Sequence, residues 1–314
     1  MLLKVSAFLF VLLTSLVHAT EKPLLLLENA NQEVNTYQDA TLQLSLQEQL
    51  LSNKRWSSLI KNKRLSVSLV DLSDNGVRYA SINGDNMMYA ASMPKIAVLY
   101  TAMDAIEKGD LEYTDEVKTD MWLMISKSNN AASTRMIDRV GFQRIEDVMC
   151  DPANPFYDQY SNGGLWVGKR YAAQGRRHPE PIKGLSHAAT TEAVAKLYYQ
   201  LATGQLINSD RSSEMLHYLK DPSLHHKFVN TLDQIAPEAD IYRKSGSWKN
   251  WHCDSVIVWD DERKKHYILV AMVESPDGEK IIRNLVRPAE AALNKTPILL
   301  QDMQSGETVK PAHI

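Results

Sequence analysis

The sequence predicts an α+β fold, an α/β sandwich. A five-stranded antiparallel sheet carries N- and C-terminal helices on one face, and an all-helical lobe is inserted between its second and third strands. Three observations predict it. A segment of helical period followed by a hairpin opens the folded region, three strand-like runs followed by a helix close it, and the residues between show helical periods that stop at glycines. With 314 residues, 44% of them hydrophobic and 23% charged, the chain can bury a core of that size.

Taken in order, residues 1–19 join one lysine to an apolar stretch from Val5 to Val17, with small residues at Val17 and Ala19. This is the pattern of a signal peptide cut after Ala19, so the product is expected to be exported, periplasmic or secreted. The run is shorter than the roughly 20 apolar residues of a membrane span, and no stable membrane anchor is expected. Residues 20–40 form a polar arm, and the leucines of residues 41–63 recur at helical spacing, which predicts one helix. LSVSLVDL (65–72) alternates as a strand, DNG (74–76) makes a hairpin turn, and VRYAS (77–81) supplies the partner strand.

A helix opening near Ser92 and Pro94 stops at Gly109. NNAASTRMIDRV and TTEAVAKLYYQLAT give two more, stopped by Gly141 and Gly204. Residues 151–189, rich in Gly, Pro, Tyr and Arg, have no period and read as a long functional loop. ADIYRKSGSW, DSVIVWD and KKHYILVAMVES are three strands, and a helix over 278–294 follows, bent at Pro288. The catalytic domain is thus expected over 41–294, its sheet built from 41–91 and 238–294, its helical lobe from 92–237, with 295–314 a tail.

Removing the leader takes away Lys4 alone among charged residues and moves the formal charge from −3 to −4. Mild acidity excludes the basic stripe that phosphate binding requires, so no nucleic-acid partner is expected. The basic run NKRWSSLIKNKR (53–64) reads as a solvated helix face. Cys150 and Cys253 lack C-x-x-C spacing, and His178, His187, His225, His226 and His252 lack H-E-x-x-H spacing, so neither metal nor cofactor is expected. An oxidising compartment would permit a disulfide between the two cysteines, but the sequence does not show whether they meet.

The chemistry is concentrated in three short motifs. YAASMPKIAVLY (89–100) sets Ser92 and Lys95 three residues apart at a helix start, where a cation opposes the helix dipole by about 0.3–1 kcal/mol and so needs another reason to be there. Positions i and i+3 share a helix face, which would bring the amine beside the hydroxyl. A serine needs such a base to become a nucleophile, and a lysine in a dry cleft can have its pKa lowered enough to serve. The pattern alone is weak, since Ser58 and Lys61 repeat it without companions. After Ser92, however, come Ser128-Asn129-Asn130 at a helix start and Lys244-Ser245-Gly246 on a strand. The literal Ser73-Asp74-Asn75 precedes Ser92 and belongs to the hairpin turn, and GLSHA (184–188) follows a proline-rich segment that cannot be the strand a nucleophile elbow requires.

S-x-x-K, then S-x-N, then K-[ST]-G, in that order and on those elements, resembles the penicillin-recognising serine hydrolases, most closely the class A β-lactamases, over about 41–294. The resemblance implies a β-lactamase/transpeptidase-like fold in which Ser92 is acylated and Lys95 accepts its proton. Ser128 would protonate the leaving nitrogen, Asn130 would hold the substrate's side-chain amide, and Lys244 and Ser245 would bind its carboxylate. The N–H groups of Ser92 and Ser247 would form the oxyanion hole. Gly246, lacking a Cβ, would let substrate lie along the strand edge. Trp248 and Trp251 would flank the cleft or pack on the sheet.

The activity implied is hydrolysis of β-lactam amides by a monomer. The alternatives are a DD-peptidase acting on peptidoglycan stem peptides and a non-turnover penicillin-binding protein. Two departures bear on that choice. Class A enzymes activate the deacylating water with a loop glutamate followed by an asparagine; here Glu180 occupies a comparable stretch, but Gly184 stands where the asparagine would fall. Glu180 is the candidate base, with His178, His187 and Glu192 behind it. The interval from Ser92 to Ser128 is also shorter than in those enzymes, which implies an abbreviated wall and a wider cleft.

Overall fold

The computed structural model describes residues 33–73 and 76–294; the expected leader, the expected arm up to residue 32, the turn residues Asp74 and Asn75 and the tail lie outside the described residues. A 3-10 turn (Val34–Tyr37) leads into α1 (Ala40–Leu51) and α2 (Lys54–Lys61). Two helices stand where one was expected because Asn53 starts a new one, its side chain accepting from the N–H groups of Arg55 and Trp56. Then come β1 (Leu65–Asp71), β2 (Arg78–Ile82), the short β3 (Met88–Tyr89) and α3 (Lys95–Glu107).

The lobe continues with α4 (Asp115–Ile125), α5 (Asn130–Val140) and α6 (Phe142–Met149). Within the aperiodic stretch lie four short strands, β4 (Tyr157–Asp158), β5 (Gly163–Gly164), β6 (Trp166–Val167) and β7 (His187–Ala189). The lobe ends with α7 (Thr191–Ala202), α8 (Ser209–Leu219) and α9 (Phe228–Ile235). Strands β8 (Asp240–Trp248), β9 (Trp251–Asp260) and β10 (Lys265–Glu274) precede α10 (Gly278–Leu293), which contains Pro288.

Five strands pair antiparallel in the order β2-β1-β10-β9-β8, so the first two and the last three form one sheet. Strand alternation sorts their side chains to two cores. Leu65, Val67 and Leu69 of β1 and Leu269, Ala271 and Val273 of β10 join Leu42 and Leu46 of α1 and Ile282 and Leu285 of α10. Ile268, Val270 and Met272 face the opposite way and join Val98 of α3 and Val194 and Tyr198 of α7. Each fully buried Leu, Ile or Val contributes about 1.5–3 kcal/mol, and a one-residue slip would exchange the two faces, so burial also fixes the register.

This arrangement puts β8 at the sheet edge facing the lobe, and β7 brings the long loop back to β3, just before Ser92. Cys150 and Cys253 are both free thiols. Among the described residues, no helix is long and apolar enough to cross a membrane.

Candidate active site

Ser92 lies in a tight turn between β3 and α3 that is held from three sides. The Ala90 N–H donates to His187 O (3.0 Å), the Cys253 thiol donates to Ala90 O (3.0 Å), and the Tyr171 hydroxyl donates to Ala91 O (3.1 Å). Ala91 has φ +47°, a strained value for a residue with a Cβ, and such strain persists only where surrounding contacts enforce it. The strand edge at Gly246 packs directly on this turn. A Cβ there would stand 2.6 Å from both Ala90 O and Ser92 N, which explains the glycine of the third motif.

Lys95 is the first residue of α3 and is fully buried. Its Nζ donates to Ser128 O (2.7 Å), Asn130 Oδ1 (2.9 Å) and Ser128 Oγ (3.3 Å), and lies 4.4 Å from the centre of the Tyr171 ring. Burial pulls its pKa down to about 7, so near neutral pH an appreciable fraction is the free amine. These hydrogen bonds run to the second motif, and the expected one to the Ser92 hydroxyl is not among them. Ser92 lies in the turn over residues 91–94, ahead of the first helical residue Lys95, so the two side chains do not share a helix face.

Ser128 has φ +52°, which turns both its carbonyl and its hydroxyl toward Lys95. Asn129 caps α5 by accepting from the Ala132 N–H, and Asn130 follows as its first residue. From the other side, Lys244 Nζ donates to Ser128 Oγ (3.0 Å) and to Ser245 O (2.8 Å). The Ser128 hydroxyl thus sits between two buried amines. Burial, then the neighbouring Lys95 charge, holds the Lys244 pKa well below the ordinary lysine range. Two cations sharing one hydroxyl make a pocket that an anionic ligand would relieve.

Lys244 and Ser245 are buried in β8, opposite Ser255 and Asp254 of β9, while Ser247 is exposed opposite His252. Arg243, next in the strand, pairs with buried Asp254 (2.7 Å) and donates to Leu224 O (2.6 Å), tying β8 to the segment before α9. Trp248 is exposed on the rim, and Trp251 packs edge-on to Tyr89 at 6.3 Å.

Glu180 is not brought to this cluster. Its carboxylate, 1% exposed, accepts from the Tyr157 hydroxyl (2.8 Å) and from the backbone N–H groups of Ile182 (2.7 Å), Lys183 (2.5 Å) and Leu185 (3.2 Å). Four donors use up the accepting capacity of one carboxylate, and the group staples its own loop. Against Lys95 stands Tyr171 instead, its ring 4.3 Å from that of His187. His187 bonds Lys169 O (3.0 Å) and Ser186 Oγ (3.2 Å); burial lowers its pKa to about 4, which keeps the ring neutral. His178 lies between Trp166 and Phe142 and against Glu146, and burial and the charges of Asp85 and Glu33 raise the pKa of Glu192, in the first turn of α7. Tyr171 stands against Lys95, and Lys227 against Gly246 and Ser247, and no motif marks either. Their only signals are an aromatic in an Arg-rich loop and a lysine just before a helix.

A family model described as the beta-lactamase enzyme family matches residues 52–121 and 116–295. No curated protein matches the sequence. Among solved structures, the chain is similar to a β-lactamase from Sphaerobacter thermophilus DSM 20745, with a TM-score of 0.63 and 17% identity over 81% of this chain and 98% of that one. It is also similar to PBP-A, with a TM-score of 0.60 and 17% identity over 82% and 98% of the two chains. A mutant of PBP-A solved as an acyl-enzyme complex with penicillin G gives a TM-score of 0.61 at 18% identity over the same shares. At these identities the likeness establishes a common fold.

Proposed function

The chain belongs to the beta-lactamase enzyme family, a family of serine hydrolases, and from that premise we propose that Ser92 opens the amide of a β-lactam and holds the product as an acyl-enzyme that is released slowly. The observation that carries this reading is the environment of Lys95. A buried amine with a pKa of about 7 contacts Ser128 and Asn130, and among the described residues no carboxylate contacts it.

In this reading the neutral amine takes the Ser92 proton as Oγ bonds to the carbonyl carbon, and the carbonyl π electrons move onto oxygen. When that carbonyl re-forms, the C–N bond breaks. The nitrogen takes its proton from Ser128 Oγ, and Lys95 returns one to Ser128 along their 3.3 Å contact. Lys244 and Ser245 would hold the substrate carboxylate, Asn130 its side-chain amide, and the Ser92 and Ser247 N–H groups the oxyanion. Acylation is thus equipped, whereas water attack on the ester lacks the carboxylate that class A enzymes use, because Glu180 is engaged within its loop.

The capture of a PBP-A mutant as a penicillin G acyl-enzyme supports a β-lactam as ligand. Exposed Trp248 beside the open edge of β8 supports room for a larger one, such as a peptidoglycan stem peptide. A second reading, β-lactam hydrolysis with rapid turnover as in class A enzymes, is supported by the pKa of Lys95, which would allow the same amine to activate water after acylation. The leader at residues 1–19 supports export, with residues 41–294 as the catalytic domain of the mature protein.

Intact-mass measurement after mixing the protein with penicillin G tests these readings. A persistent adduct that is lost in Ser92→Ala supports the first, and a transient adduct with penicilloic acid released over many turnovers supports the second. Absence of any adduct refutes both.

A further inference from the structure

We propose that Lys227 is a positioning residue of the oxyanion hole, its ammonium polarising the peptide that links Gly246 to Ser247 and so strengthening the Ser247 N–H as a donor. The inference rests on the reading of Ser92 as the acylated residue.

Lys227 is 1% exposed, and its backbone, at φ +56° and ψ −125°, lies outside the regions that residues with a Cβ ordinarily adopt. It is held there by what its side chain reaches. Nζ donates to Gly246 O (2.5 Å), Ser247 Oγ (2.8 Å) and Cys253 O (3.0 Å). An ammonium has three N–H donors, so all are spent, every one on a neutral acceptor. The nearby carboxylates are committed elsewhere. Asp254 accepts from Arg243 and from the Phe228 N–H, and Glu279 accepts from Arg283. Burying a charge among neutral groups is costly, and burial accordingly lowers the Lys227 pKa. A tie between two strands does not require that cost, because a neutral amide could bridge Gly246 O and Cys253 O.

The carbonyl of Gly246 and the N–H of Ser247 belong to one amide. A cation on the oxygen draws electron density from the nitrogen, and the N–H becomes a stronger donor, as in any polarised hydrogen-bond chain. The other donor is adjacent, since Gly246 packs against the amide nitrogen of Ser92. Lys227 thus stands behind the corner where the two N–H groups would meet a substrate carbonyl oxygen, aimed at charge that develops only in the transition state.

Lys227→Met, Lys227→Gln and Lys227→Arg are compared with the unmodified protein by the limiting rate of acylation with penicillin G and by the infrared band of the acyl-enzyme ester made with carbonyl-labelled penicillin. Removing a whole oxyanion donor costs about 10²–10³ in rate, so loss of polarisation alone is expected to slow limiting acylation about tenfold. In both the Met and Gln variants the ester band moves to higher wavenumber, and Arg restores most of both losses. Gln retains an N–H for the two carbonyls without the charge, and it carries the same test if the Met variant does not fold. Recovery by Gln as full as by Arg would reduce Lys227 to a strand tie and overturn the proposal. So would an unshifted band, or a change confined to the concentration giving half-maximal acylation, which would make it a substrate-carboxylate contact. An unmodified protein that forms no ester at all overturns the reading of Ser92 itself, an outcome visible before any variant is made.

Discussion

Replacing Lys95 by methionine removes the amine on which both the proposed chemistry and a pH-dependent part of the stability rest. Burial lowers its pKa from 10.5 to about 7, equivalent to about 5 kcal/mol against the charged form. Below pH 7 the native and unfolded chains both hold this proton; between pH 7 and 10.5 only the unfolded chain does. Stability therefore rises with pH across that window, by about 2–3 kcal/mol between pH 7 and pH 9. In Lys95→Met this rise disappears. The carbonyl of Ser128 and Oδ1 of Asn130 lose their donor at about 1–3 kcal/mol each, but that loss does not depend on pH and cancels when the two pH values are compared. Lys244, whose own lowered pKa owes part of its shift to Lys95, changes in the same direction. Urea unfolding of both proteins at pH 7 and pH 9 should give a wild-type advantage that grows with pH by about 2–3 kcal/mol. Acylation of the unmodified protein should climb about tenfold per pH unit below 7 and level off above it. Parallel stability curves, or an acylation inflection near the ordinary lysine value, would refute the assignment of Lys95 as a desolvated base.

Two further outcomes follow from distances already given. Gly246→Ala drives a methyl into Ala90 O and Ser92 N, backbone atoms that cannot rotate away; chemical denaturation should show a loss of about 1–3 kcal/mol, and stopped-flow acylation a fall of about a hundredfold from displacement of the Ser92 turn. Glu180→Gln places an NH₂ group among four donors, so differential scanning calorimetry should show a Tm lower by several degrees, at about 2–4 °C per kcal/mol, while the lifetime of the penicillin adduct changes little. A greatly lengthened adduct lifetime at unchanged Tm would restore Glu180 as the water-activating base.

The sheet was legible because its strands carry period-two or continuously apolar patterns long enough to stand out, and because Gly109, Gly141 and Gly204, all at positive φ, stop helices where their position suggests. Helices α6 and α9, of eight residues each, are too short for a period to emerge. α4 was missed although Thr114, whose side chain accepts from the Val117 N–H, and the acidic pair Asp115 and Glu116 mark its start. The strands of the 151–189 loop are two or three residues long and are defined by their partners more than by composition. The same division runs through the site. Lys95, Ser128, Asn130 and Lys244 lie in contiguous motifs and meet around one hydroxyl. Tyr171 and Lys227 reach the site from segments without period, and the engagement of Glu180 within its loop was not legible because its Tyr157 partner sits 23 residues away, on β4.

One consequence of the strand order concerns synthesis. Leu65 of β1 pairs with Val273 of β10, across about 200 residues of chain, and Lys244 reaches Ser128 only from the far edge of that late-formed half. A polypeptide emerging N-terminus first therefore carries Ser92, Lys95 and Ser128 long before Lys244 can join them, and closing so distant a seam is slow. Until β8 has been made and paired, the serine and the two lysines share no pocket, so an unfinished chain has no assembled site.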